Sequence, residues 1–118
     1  MAVILHGIKN CDSVKKARQW LQAQAIDYEF RDFRERPPTM EEIESWIQQC
    51  DWQKLLNKRS TSWKQLDASA RSAVTDAESA IDAMLGNPTL IKRPVLTLGQ
   101  TVHLGFSDQR YQAIFDSH

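Results

Sequence analysis

The sequence predicts an α/β fold, a mixed sheet with an all-helical insertion after its second strand. Three observations predict it. A short apolar run, Val3 to His6, is followed by an amphipathic helical pattern and a second short apolar-alternating segment. A long stretch of helical composition then intervenes. Two β-branched runs separated by Gly99-Gln100 follow near the end of the chain.

Taken in order, Val3-Ile4-Leu5-His6 reads as a buried strand broken at Gly7, leading into the loop Ile8-Lys9-Asn10-Cys11. From Asp12 the period becomes helical. Val14, Ala17, Leu21 and Ala25 share one face, with Lys15, Lys16, Gln19 and Gln22 largely on another. Asp27 to Phe33 reads as a second strand carrying Tyr28, Phe30 and Phe33 on apolar surroundings, and strand–helix–strand is a parallel crossover unit. Pro37-Pro38 ends that segment. Thr39 with Glu42 forms a capping-box pattern ahead of Met40, Ile43, Trp46, Ile47 and Cys50 at helical spacing.

Helical composition persists from Asp51 to Gly86, with breaks near Lys58 to Thr61 and an apolar stripe of Ala77, Ala80, Ile81, Met84 and Leu85. Asn87-Pro88 closes the block. Val95 to Leu98 and Thr101 to Leu104 form a hairpin on a two-residue turn, and a final helix runs from Ser107 as cap to Phe115. The order matches a thioredoxin-like sheet in which the first two strands need a crossover and the last two a tight turn.

Size and charge narrow the function classes. At 118 residues one domain is expected over 1–118, with the helical insertion at roughly 39–87. Fifteen basic residues balance fifteen acidic ones, so no global field argues for nucleic acid or a membrane as partner. The run Met1 to Leu5 lacks the longer apolar stretch of a signal peptide, and no segment approaches a membrane span. A cytoplasmic location is therefore expected. Two cysteines are too few for a disulfide framework.

Cys11 stands where a strand-to-loop segment meets a helix N-terminus, whose unpaired N–H groups and dipole favour an anion, and a thiolate is such an anion. Lys9, Lys15 and Lys16 add to that field. The alternative is a small packed apolar residue. The position three residues on, where a redox dithiol would carry its partner, is Val14. A mixed disulfide at Cys11 would then need an external thiol such as glutathione to resolve it. Cys50 is the internal candidate, though its place on the Met40, Ile43, Ile47 stripe argues for helix packing. Trp52 and Trp63 read as core of the helical insert. Arg59, in Lys58-Arg59-Ser60-Thr61-Ser62, is either an anion-binding residue or part of a solvated turn. His103 and His118 have no metal-ligand partners at recognisable spacing, so no metal is assigned.

G-I-K-N-C-D-S-V-K-K-A at Gly7 to Ala17, I-K-R-P at Ile91 to Pro94 and L-G-F at Leu104 to Phe106 together resemble the ArsC/Spx/YffB family, with the YffB-type branch nearest. The resemblance spans nearly the whole chain. It implies a thiol oxidoreductase with Cys11 as nucleophile, Arg59 and Arg93 holding an anionic part of the substrate, Asn10 and Lys15 beside them, and Pro94 as a structural cis proline. Glutathione is the implied co-substrate, with no bound cofactor, and a small thiol or disulfide the implied substrate.

The departures matter as much. The third arginine of the arsenate reductases falls on Phe106, which carries no charge and donates no hydrogen bond. The histidine four residues before their nucleophile is Gly7, with His6 one place off. Both argue against arsenate reduction. The Spx side of the resemblance implies a protein partner instead, RNA polymerase, but the C-x-x-C switch typical of Spx is absent.

Overall fold

The structure, a computed structural model, describes residues 2–117; Met1 and His118, and with them the reading of His118, lie outside the described residues. Two compact units are present. Phe33–Lys92 forms one, and the segments before and after it form the other.

In the unit built from both chain ends, four strands, β1 (Val3–Gly7), β2 (Glu29–Asp32), β3 (Val95–Leu98) and β4 (Thr101–Leu104), make one sheet in the order β2-β1-β3-β4. β1 and β2 are parallel, with Gly7 opposite Asp32; β1 and β3 are antiparallel, with His6 opposite Val95; β4 returns antiparallel to β3. This is the mixed thioredoxin-like sheet. β3 is buried at all four positions, Thr97 included, as expected of a strand with a neighbour on each side. Its turn into β4 is the expected two-residue one. Gly99 at φ 57 takes the left-handed conformation that its first central position requires.

Helix α1 (Asp12–Ala23) lays Val14, Ala17 and Leu21, each 0% exposed, on a core with Leu5, Leu96, Leu98 and Tyr111. Complete burial of one such leucine stabilises by roughly 1.5–3 kcal/mol. Ala25 does not extend this stripe. It lies beyond the helix, exposed, at φ 55. Its N–H donates to the Gln22 carbonyl and the N–H of Ile26 to that of Leu21. Those two bonds define a Schellman ending, with alanine at the position that usually holds glycine. Gly7, expected to break β1, is instead its last residue. A Cβ there would lie 2.5 Å from Val14 Cγ2, so glycine is what lets strand and helix approach.

The unit Phe33–Lys92 carries five short helices: α2 (Met40–Ile47), α3 (Trp52–Leu55), α4 (Thr61–Lys64), α5 (Ala68–Ser72) and α6 (Ala77–Gly86), then a 3₁₀ turn (Pro88–Leu90). The Thr39–Glu42 capping box is present in both directions. Ile43 and Trp46 are buried, but Met40, at the first position of α2, is 47% exposed. Cys50 is not on the stripe either, because α2 ends at Ile47. Trp52 and Trp63 are only half-buried; Trp63 instead stacks its ring under Lys58 Nζ at 5.5 Å. An isolated bridge joins Leu56 to Ile91. The last helix of the other unit, α7 (Asp108–Asp116), starts at the expected cap, Ser107, whose Oγ accepts from the Arg110 N–H.

Candidate functional site

Four chain segments converge on one end of the sheet. β1 and β2 are parallel and finish there, β3 begins there, and β4 returns there. The loop after β1 carries Asn10 and Cys11, the residues ahead of β3 are Arg93 and Pro94, and the chain after β4 is Gly105-Phe106. Antiparallel pairing of His6 with Val95 brings the end of β1 level with Pro94.

Cys11 is the N-cap of α1, with φ −92 and ψ 128. Its carbonyl accepts the Lys15 N–H at 2.9 Å and its own N–H donates to Ile8, while its side chain caps nothing. Cys11 is half-buried, packed against the core of this unit at the electropositive end of a twelve-residue helix. Asn10 and Lys15 are exposed within one helical turn of it.

The Arg93–Pro94 peptide is cis, as the resemblance implies. Pro94 is buried and Arg93 half-buried. The Pro94 carbonyl accepts the Gly105 N–H at 2.9 Å, and Gly105, at φ 77, is in the left-handed region that favours glycine. Phe106 then turns onto the core, its ring 4.7 Å from that of Tyr111 at 80°. Where an oxyanion site would need a charged fork, this chain packs an aromatic edge.

Sequence reasoning passed over Asp32. This carboxylate is only 6% exposed, at the end of β2, and its Oδ2 accepts the Lys9 N–H at 3.2 Å. It therefore holds the loop that leads into Cys11. An acidic residue at the end of a strand is the available signal, but its partner lies 23 residues away.

The remaining residues lie in the other unit. Arg59 is exposed in the turn between α3 and α4, where its N–H donates to Asn57 Oδ1, and Ser60 caps α4. The Cys50 thiol donates to the Trp46 carbonyl at 3.2 Å, and its pKa is raised, chiefly by burial and then by Asp51, with Lys54 opposing. Both cysteines are free. Among the described residues no group of three or more His, Cys, Asp or Glu side chains is arranged to hold a metal ion, and no helix is long and apolar enough to cross a membrane.

A free cysteine at the N-cap position of the first helix, at the same sheet end as a cis X–Pro bond, defines a thioredoxin-like protein with a helical insertion. The chain belongs to the ArsC family, which its residues 6–114 match. An uncharacterised protein of Haemophilus influenzae is 37% identical over 113 residues, 96% of this chain and 98% of that one. A solved structure of a protein called YFFB (PA3664) is 38% identical, with a TM-score of 0.90 over 95% of this chain and 97% of its own. The global transcriptional regulator Spx of Lactiplantibacillus plantarum is 24% identical over 108 residues, 90% of this chain and 80% of that one.

Proposed function

We propose that this protein is a glutathione-dependent thiol–disulfide reductase that works through the single thiol of Cys11. The observation that carries the reading is a half-buried cysteine at the N-cap of α1, with a fully buried valine, Val14, where a second thiol would stand. The Cys11 thiolate attacks one sulfur of a disulfide RS–SR′. A Cys11–SR bond forms, the S–S bond breaks, and R′S⁻ leaves and takes a proton from water. A glutathione thiol, having lost its proton, then attacks the R sulfur of the adduct: a GS–SR disulfide forms, the bond from that sulfur to Cys11 breaks, and Cys11 returns as thiolate. The two electrons come from the external thiols, and the product is a disulfide of glutathione.

Arg93, Lys15 and Asn10, at the same sheet end, are the groups proposed to hold the substrate's anionic part, with Pro94 shaping the wall beside them. For Arg59 the role stays what the family resemblance implies. A thiol pool of this kind is that of a reducing cytoplasm, where the protein is proposed to act. Phe106, packed on Tyr111, speaks against arsenate as substrate.

The test is turnover of a glutathione mixed disulfide with glutathione as reductant. Cys11→Ser is expected to abolish it, because a serine hydroxyl is a far poorer nucleophile at neutral pH. Full activity in that variant sinks the proposal. The likeness to Spx supports a second reading, a module that binds RNA polymerase. Recovery of purified polymerase equally by the unsubstituted protein and by Cys11→Ser, with no disulfide turnover by either, would favour it.

A further inference from the structure

Between α1 and the start of α7, within one unit, lies a hollow of about 460 Å³ lined by Lys16, Gln19, Trp20, Phe106 and Asp108. Its size is that of a small-molecule site, and its lining mixes two aromatic rings with one cation, one anion and one amide. A second hollow of about 540 Å³ adjoins it, sharing Trp20 and Asp108 and adding Asp116; no lysine or arginine lines it. The trough is therefore basic at Lys16 and acidic from Asp108 onward. Among the described residues the side chains of Lys16, Gln19 and Asp108 are engaged in no hydrogen bond or ion pair with one another or with other side chains. Opposite charges on one trough, unpaired with each other, suit a ligand that carries both.

We infer that this hollow binds the free α-amino acid end of the thiol substrate, its carboxylate on Lys16 and its ammonium on Asp108, with Trp20 and Phe106 flanking the aliphatic stem. The inference rests on the thiol-transfer reading of Cys11 and supplies its substrate class: small thiols that bear a zwitterionic end. Reach agrees with it. Lys16 follows Cys11 by five residues, roughly 7 Å along the helix axis at 1.5 Å per residue. A thiol set two or three residues from its amino end spans roughly 7–10 Å when extended. The aromatic residue at position 106 thus has a positive role. Where related reductases hold an oxyanion, this chain forms the wall of a pocket for an amino acid.

The experiment is titration of the Cys11→Ser protein with S-methylglutathione and with its des-amino analogue, followed by the indole N–H resonance of Trp20. Lys16→Gln and Asp108→Asn are each expected to weaken S-methylglutathione about fivefold, the size of one exposed ion pair. For the des-amino analogue, Lys16→Gln should still weaken binding and Asp108→Asn should not. Binding unchanged in either variant, or an Asp108→Asn effect that survives loss of the amine, overturns the assignment. Turnover by the unsubstituted protein separates the two claims. The expected binding pattern without any turnover overturns the thiol-transfer reading and leaves the subsite standing, whereas turnover without charge effects removes the subsite alone.

Discussion

The backbone N–H of Lys9 donates to the buried carboxylate of Asp32 at 3.2 Å, tying the loop that delivers Cys11 to the end of β2. Removing the acceptor leaves a loop N–H without that partner, a loss worth about 1–3 kcal/mol. Asp32→Ala is therefore expected to lower unfolding free energy by about that amount and to slow the Cys11 reaction several-fold. Asp32→Asn, which keeps an acceptor, should do less of both. Urea unfolding and disulfide turnover measure the two effects; equal loss in both variants would mean that charge, not the loop bond, is what Asp32 supplies.

Gly7 is the other fixed point of the site. A Cβ at this residue would meet Val14 Cγ2 at 2.5 Å, and Val14 is 0% exposed in the core. Gly7→Ala is expected to cost about 1–3 kcal/mol through overpacking. Combining it with Val14→Ala should cost less than the sum of the single changes, because the shortened side chain makes room. Additive losses in a double-mutant cycle would contradict the contact.

Ala25 closes α1 at φ 55, a conformation that disfavours a side chain by about 1–2 kcal/mol. Glycine relieves that but loses more entropy on folding, about 0.4–1 kcal/mol. Ala25→Gly is expected to raise stability by about 0.5 kcal/mol, seen as a higher urea midpoint at unchanged slope. A lower midpoint would show that the alanine methyl contributes packing.

Cys50 gives a pH signature. Its folded pKa is raised above the ordinary 9.0, first by burial, so folding favours the neutral thiol. The resulting contribution is complete below pH 9.0 and is lost as pH rises from there through the folded value. In a Cys11→Ser background, the stability difference between Cys50 and Cys50→Ala should narrow above pH 9.0. A difference that stays constant to higher pH would contradict the assignment.

What the sequence made legible was local. The Thr39–Glu42 box, the Ser107 cap and the Gly99-Gln100 turn each depend on residues at most three apart, and each formed as read. Periodicity alone overran the helices. It carried α1 on to Ala25 and α2 on to Cys50, because an alanine in a Schellman ending and a cysteine one turn past a helix both keep helical spacing. Apolar type misplaced Met40, since the first turn of a helix need not face the core. The clamp of Asp32 on Lys9 and the approach of Gly7 to Val14 depend on how β1, β2 and α1 pack, which no short window contains. Within the site, the position of Cys11 at a helix start was legible from the break between apolar run and helical period. The hollow beside Phe106 was not, because its lining comes from α1 and from residues some 90 positions later.

The central claim is that Cys11 is the thiol that exchanges. Incubating the protein with oxidised glutathione, then measuring intact mass and mapping the modified peptide, tests it most directly. A single glutathionyl adduct is expected on Cys11, present in Cys50→Ala, absent in Cys11→Ser and removed by reduced glutathione. An adduct confined to Cys50, or none on a folded protein, would contradict the account.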